Sequence, residues 1–156
     1  MDVVAERLDI PKAYGDPSEI LAWEAVEQRL VTAMHYWLAT TRPDGRPHSV
    51  PIDGVWDEGA LWFGGVPSTV HSRNLRADPR TIAHIESAES PVIVEGSAEV
   101  YVPDDAGAER RAESMRAKYG YGPPAATYRE GVWCLRPVVA LSWTALHRDA
   151  TRFRFH

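Results

Sequence analysis

Residues 92–102 read VIVEGSAEVYV, and this stretch decides the fold. Val92, Val94, Gly96, Ala98, Val100 and Val102 recur at a period of two, while Glu95, Ser97, Glu99 and Tyr101 take the alternate positions. That alternation is the mark of a strand with one buried face. Gly96 and Ala98, small at mid-face, suit the interior of a tightly curved barrel.

Working outward, the same period of two appears in 35–41 (HYWLATT), in about 47–56, in Ala60 to Gly65 and in 80–86. Arg42-Pro43-Asp44-Gly45 joins the first two as a hairpin turn, because its proline and Asp-Gly pair favour tight reversal. In 47–56 the alternation sets His48, Val50 and Ile52 against Ser49, Pro51 and Asp53. Pro51 has no N–H for a ladder, which points to an edge, a bulge or a ligand there. Towards the C-terminus, 131–143 gives one or two strands broken at Pro137, and 151–155 (TRFRF) a short last one.

Three helices surround these strands. Asp16, Pro17 and Glu19 form a helix-start signal, followed by Ile20, Trp23, Val26, Leu30 and Ala33 at helical spacing, so a helix is predicted over 17–34. Ser68 or Thr69 caps a second over about 69–77, stopped by Asp78-Pro79. Asp104 caps a third, which buries Ala108, Ala112, Met115 and Tyr119 and ends at Gly120. The chain is therefore expected to be mainly β: a six- to seven-stranded antiparallel split β-barrel with flanking helices. Its parts are an N-terminal extension (1–16), the helix 17–34, a barrel core (35–102), a helical insertion and loop (103–130) and C-terminal strands (131–156), all in one domain.

Composition narrows the function. With 156 residues, 44% of them hydrophobic, the chain can bury a core without metal or disulfide staples. The one cysteine, Cys134, has no intramolecular partner, and the first thirty residues lack an export signal, so a cytoplasmic protein is expected. No apolar run approaches the roughly 18 residues of a membrane span. The formal charge of -5 argues against nucleic-acid or anionic-membrane partners. Dinucleotide, Walker and nucleophile-elbow motifs are missing, and the six histidines show no metal-ligand spacing, so no metal site is expected.

What remains is a strand, turn and helix unit. Phe63-Gly64-Gly65 leads through Pro67, Ser68 and Thr69 into a helix that opens with His71, Ser72 and Arg73. Glycines permit close backbone approach, amides at a helix start point outward, and a hydroxyl and a guanidinium add donors. The combination makes a phosphate cradle; as ordinary structure it is a capped helix with Arg73 in solvent.

The order of elements adds a resemblance. A helix, then WLATTRPDGRPHSVPIDGVW (37–56), GALWFGGVPSTVHSRNLRADPR (59–80) and VIVEGSAEV (92–100) closely resemble the pyridoxamine-phosphate-oxidase-like flavin split-barrel family. The likeness is strongest to its actinobacterial deazaflavin (coenzyme F-420) dependent and flavin-binding branch, and it extends more loosely to LRPVVALSW and ATRFRF. It implies a homodimer whose cofactor, FMN or coenzyme F-420, lies between the subunits, with a small organic molecule as substrate and hydride transfer as the chemistry. By position the phosphate end falls on Ser68, Thr69, His71, Ser72 and Arg73, supported by Asn74, and the ring side on His48, Ser49, Val50 and Pro51. Trp133 would close the ring pocket from the partner subunit. No catalytic residue is assigned, although the imidazole of His48 would be placed to supply a proton near neutral pH. Val70 and His71 stand where family members often carry two basic residues, which leaves one titratable charge whose effect would grow as pH falls through about 6.5. The alternative is a non-catalytic carrier of flavin, deazaflavin or haem in the same pocket.

Overall fold

The computed structural model describes residues 2–156, and its strands join into one antiparallel sheet. In chain order these are β1 (Val3–Arg7), α1 (Trp23–Thr32), β2 (Tyr36–Thr41), β3 (Pro47–Ile52), β4 (Gly54–Asp57), β5 (Ala60–Phe63), α2 (Val70–Ala77) and β6 (Arg80–Ile85). They are followed by β7 (Val92–Tyr101), α3 (Asp105–Tyr119), α4 (Ala125–Arg129), β8 (Val132–Ser142), α5 (Leu146–Asp149) and β9 (Thr151–Phe155). The sheet runs β1-β9-β8-β7-β6-β2-β3, and β5 pairs both β4 and β8. No helix among the described residues is long and apolar enough to cross a membrane.

The split lies in β8. Its first half pairs β5 through Trp133, Cys134 and Leu135, and its second half pairs β9 through Val139 to Ser142. Between the halves the register against β7 slips, with Glu95 opposite Val139 and Gly96 opposite Pro137, so Val138 is an extra residue. Such a bulge bends a strand and lets it change partners. Pro137 therefore marks a bulge within one continuous strand and does not end it. A Cβ on Gly96 would collide with the Arg136 carbonyl, so that glycine serves the close approach of β8 at this bulge.

Among the described residues nine strands stand where six or seven were expected, because the N-terminal extension contributes β1 and the second strand breaks at Asp53 into β3 and β4. The first helix starts at Trp23 and ends at Thr32, not at 17 and 34. The Asp16 start signal loses to tertiary hydrogen bonds: Ser18 and Glu19 N–H donate to the Arg148 carbonyl at 2.9 and 3.0 Å, and Leu21 N–H to Thr151 Oγ1 at 3.0 Å. These bonds hold 18–21 off the helix, and Ile20 is exposed instead of joining the stripe. Thr69 caps α2, Asp104 caps α3 and Gly120 ends it in the left-handed region at φ 74°.

Two apolar clusters result. The larger fills the barrel with residues such as Leu38, Phe63, Val94, Leu135 and Phe153, and α1 adds Val26 and Leu30. The smaller lies between α3, α4 and the other side of β5 and β8, built on Ala60, Trp62, Ala108, Ala112, Tyr128 and Cys134.

Candidate functional site

The turn before α2 is set by its glycines. Gly65 sits at φ 153°, and a Cβ there would strike the His71 imidazole, so the chain passes close over α2 only as glycine. Thr69, not Ser68, is the cap: its Oγ1 accepts the Ser72 N–H at 3.3 Å.

α2 turns three of the expected cradle side chains inward. Ser72 is fully buried, donating its hydroxyl to the Gly65 carbonyl at 3.3 Å and accepting the Trp133 indole N–H at 3.1 Å. Asn74 is buried and donates to Thr40 Oγ1 at 2.9 Å. His71 is buried with Nε2 3.4 Å from both the Gly64 carbonyl and Thr69 Oγ1. Burial holds its pKa below the ordinary imidazole value, only partly opposed by the Gly64 contact. His71 is therefore neutral at pH 7, and the expected gain of charge near pH 6.5 moves to lower pH.

On β3 the alternation holds but its two faces part. His48, Val50 and Ile52 pair with Thr40, Leu38 and Tyr36 of β2, and Val50 packs against the barrel core. His48 Nδ1 lies 3.4 Å from Thr40 Oγ1, beneath α2, with its pKa lowered by partial burial and by Arg42. Ser49 and Pro51 occupy the outer face of this edge strand.

A cavity of about 620 Å³ opens where β3 ends, within the usual size of a small-molecule site. Pro51, Asp53, Gly64 to Pro67, Arg76 and Trp133 form its barrel side, and Met115, Tyr121, Tyr128 and Glu130 its insertion side. Of the expected residues, Pro51 and Trp133 meet there. His48, Ser49, Val50, Ser68, Thr69, His71, Ser72, Arg73 and Asn74 do not border it. Trp133 reaches the cavity from its own chain, stacked on Phe63 at a centroid distance of 6.4 Å and 13° between planes.

The insertion wall was not foreseen. Tyr121 donates its hydroxyl to Asp53 Oδ2 at 2.7 Å, and His35 Nε2 lies 3.5 Å from Oδ1 of the same carboxylate. Next to it Tyr119 accepts the Gly54 N–H at 2.9 Å and donates to the Met34 carbonyl at 2.6 Å, while Lys118 donates to the Gly54 carbonyl at 2.7 Å. These bonds fasten the end of α3 to the β3–β4 junction. Burial lowers the Lys118 pKa to about 8, partly opposed by Asp53. The one sequence signal for this wall is the run Tyr119-Gly120-Tyr121-Gly122, aromatic where a plain loop needs no aromatics. Among the described residues, no group of three or more His, Cys, Asp or Glu is placed to hold a metal ion.

The family model described as pyridoxamine 5'-phosphate oxidase matches residues 22–143, from the start of α1 to just beyond β8. The chain belongs to that family. Among solved structures it is similar to an F420 reductase, at 27% identity and TM-score 0.58, over 73% of this chain and 94% of that one. It also shares its fold with an FAD-binding protein from Mesorhizobium loti, at 17% identity and TM-score 0.58, over 100% and 99% of the two chains. A haem-binding protein from Mycobacterium smegmatis matches at 22% identity and TM-score 0.60, over 84% of this chain and 63% of that one. No curated protein matches the chain.

Proposed function

We propose that the cavity holds a phosphorylated flavin-type cofactor, FMN or the deazaflavin coenzyme F-420, and that the protein is an oxidoreductase acting with it on a small organic substrate. One observation carries the reading: a single cavity joins Pro51, where the family likeness puts the ring, to the Gly64–Pro67 turn leading into α2, the helix at whose start it puts the phosphate. Membership of the family and the 27% identical F420 reductase support the cofactor class.

The residues present fit such a group. The flat faces of Pro51, Pro67 and Trp133 border the space and suit a planar ring, and the glycine turn lets backbone approach a phosphate. When bound, the reduced cofactor supplies the hydride. The chain's part is to orient it, exclude water and hold protons. Tyr121, Thr127 and Tyr128 bring hydroxyls to the wall, and the two tyrosines are the phenolic ones. The hydrogen bond to Asp53 raises the Tyr121 pKa and burial raises that of Tyr128, so both stay protonated at neutral pH. A carrier of the same cofactor is the second reading, favoured because no imidazole lines the cavity and His48 faces Thr40 instead.

The subunit arrangement belongs to the same proposal. On the outer face of the sheet the registers align Pro51, Trp37, His84, Ile93 and Leu141 across five strands, with Ala39, Ile82, Glu95 and Val139 in the next row. Trp37 and Ile82 are exposed there at 37% and 38%. A mostly apolar face of this kind, beside the cavity, is where a second copy would pack and complete the pocket.

Titration of the purified protein with FMN and with the deazaflavin, followed by absorbance and fluorescence, tests the cofactor. Saturable micromolar binding with turnover of the reduced form supports the enzyme, binding without turnover under every acceptor supports the carrier, and no binding of either rejects both. Sedimentation giving a 17.4 kDa monomer at micromolar concentration would reject the dimer.

A further inference from the structure

We infer that the anion subsite of this cavity is built from the backbone of the Gly64–Val66 turn together with Arg76, and not from the side chains that open α2. The inference rests on the cofactor reading above and names the group within it that meets the phosphate.

Every carbonyl of the turn is already taken, and by α2 or its cap. The Gly64 carbonyl lies 3.4 Å from His71 Nε2, and that of Gly65 accepts the Ser72 hydroxyl at 3.3 Å. The Val66 carbonyl accepts the Thr69 N–H at 3.0 Å. The carbonyls of Pro67 and Ser68 accept Arg76 Nη1 at 3.3 Å and Arg73 Nη1 at 3.2 Å. In a trans peptide the N–H points opposite to the C=O, and the described chain has no cis bond. Drawing the Gly64 and Gly65 carbonyls onto α2 therefore aims the N–H groups of Gly65 and Val66 away from it. Among the described residues neither N–H has a protein acceptor, and Gly64 to Pro67 border the cavity. Two adjacent outward amides are donors available to an anion.

Arg76 supplies the charge. Among the described residues it is the one lysine or arginine on the wall of this cavity, whereas Arg73 lies off it. Its guanidinium stands 5.8 Å from the Trp133 ring centroid, and one N–H goes to Pro67. Since a guanidinium carries five N–H donors, four remain for a ligand. Asp53 and Glu130 put negative charge on the rest of the wall, which confines the anion to this end. Val70 is apolar and His71 is buried and neutral, so on α2 it falls to Arg76 to carry charge toward the cavity.

The ligand class is a phosphate ester on a tricyclic ring, so the subsite is read by the preference for phosphorylated over phosphate-free ligand. The probes are FMN against riboflavin, and the deazaflavin coenzyme against its phosphate-free chromophore, titrated by fluorescence with wild type, Arg76→Ala, Arg76→Lys and Arg73→Ala. The expected result is a wild-type preference of about tenfold or more for the phosphorylated member, the scale of a charge-assisted hydrogen bond. Arg76→Ala should erase it without changing the phosphate-free affinity, Arg76→Lys should restore part, and Arg73→Ala should keep it. Inorganic phosphate should compete with FMN in wild type and not in Arg76→Ala. Melting temperatures should be alike, because Arg76 is exposed. If the preference survives in Arg76→Ala or is lost in Arg73→Ala, the subsite is elsewhere. Wild type that binds both members of a pair equally keeps the ring site and overturns the subsite, and wild type that binds none of the four overturns both.

Discussion

The barrel interior and the seam under α3 are both buried, yet they are held by different forces. Branched and aromatic side chains such as Leu38, Leu135 and Phe153 fill the barrel, and contacts of this kind are non-directional. The seam sets small side chains, Ala60, Ala108, Ala112 and Ala125, which let α3 and α4 come close, beside Trp62, Tyr128 and Val132. It is held by directed bonds as well. Arg111, almost fully buried, pairs with Asp57 and Glu58 at 2.6 Å each and lies 4.0 Å over the Trp62 ring. At the far end of α3, Lys118, Tyr119 and Tyr121 fasten to Gly54 and Asp53. The cavity lies between these two constructions, so its insertion wall can be loosened without unfolding the barrel.

The largest effect should come from the barrel. Phe153→Ala removes a ring with no exposure that packs 5.1 Å from Trp23, and it should cost about 3 to 5 kcal/mol in denaturant unfolding. A cost under about 1 kcal/mol would mean that burial does not hold the barrel. Next is Arg111→Ala. Asp57 and Glu58 are half exposed and remain solvated, so a loss of about 1 to 2 kcal/mol is expected. Amide exchange should quicken in α3 and α4 and not in β7 or β8; equal quickening would erase the distinction between the regions. Tyr121→Phe is a smaller change. It removes one exposed hydrogen bond, so the melting temperature should hold while cofactor affinity falls a little because the insertion wall is less firmly placed.

The smallest effect is a dependence on pH. Burial lowers the folded Lys118 pKa to about 8, below its ordinary value of 10.5. Below pH 8 both states carry the proton and the folded state bears the burial penalty in full. Between about 8 and 10.5 the unfolded state binds more protons, so stability should rise with pH in that window. Lys118→Met should flatten the rise; identical slopes for the two proteins would show that the end of α3 is solvated.

The same contrast governs what the sequence discloses. β7 is legible because alternation is a local property: Val92, Val94 and Ala98 are buried as the pattern predicts, whereas Val100 and Val102, at the far end and just beyond it, are exposed. The onset of α1 is not, because the competing acceptors, Arg148 and Thr151, are about 130 residues away. For α2 the sequence yields the cap and the length but not the rotation about its axis. Ser72 and Asn74 are polar yet face inward, since Trp133 and Thr40 are there to receive them. The family likeness finds Pro51 and the residues themselves the glycine turn, while Asp53, Arg76 and Tyr121 are joined to them only by tertiary structure.

Strands β1 and β9 run side by side in register, Val3 opposite Phe155, and Asp2 and His156 exchange backbone bonds at 3.3 and 3.0 Å. The two ends of the described chain are thus already the arms of a hairpin that lacks only its turn. An Asn-Gly linker would supply one, and new ends could be cut at Gly45, where even a Cβ would meet open space. A circularly permuted protein of this kind would keep every strand pairing while opening the β2–β3 hairpin. It would carry one new end after β2 and the other, with any fused reporter, on the strand that leads to Pro51.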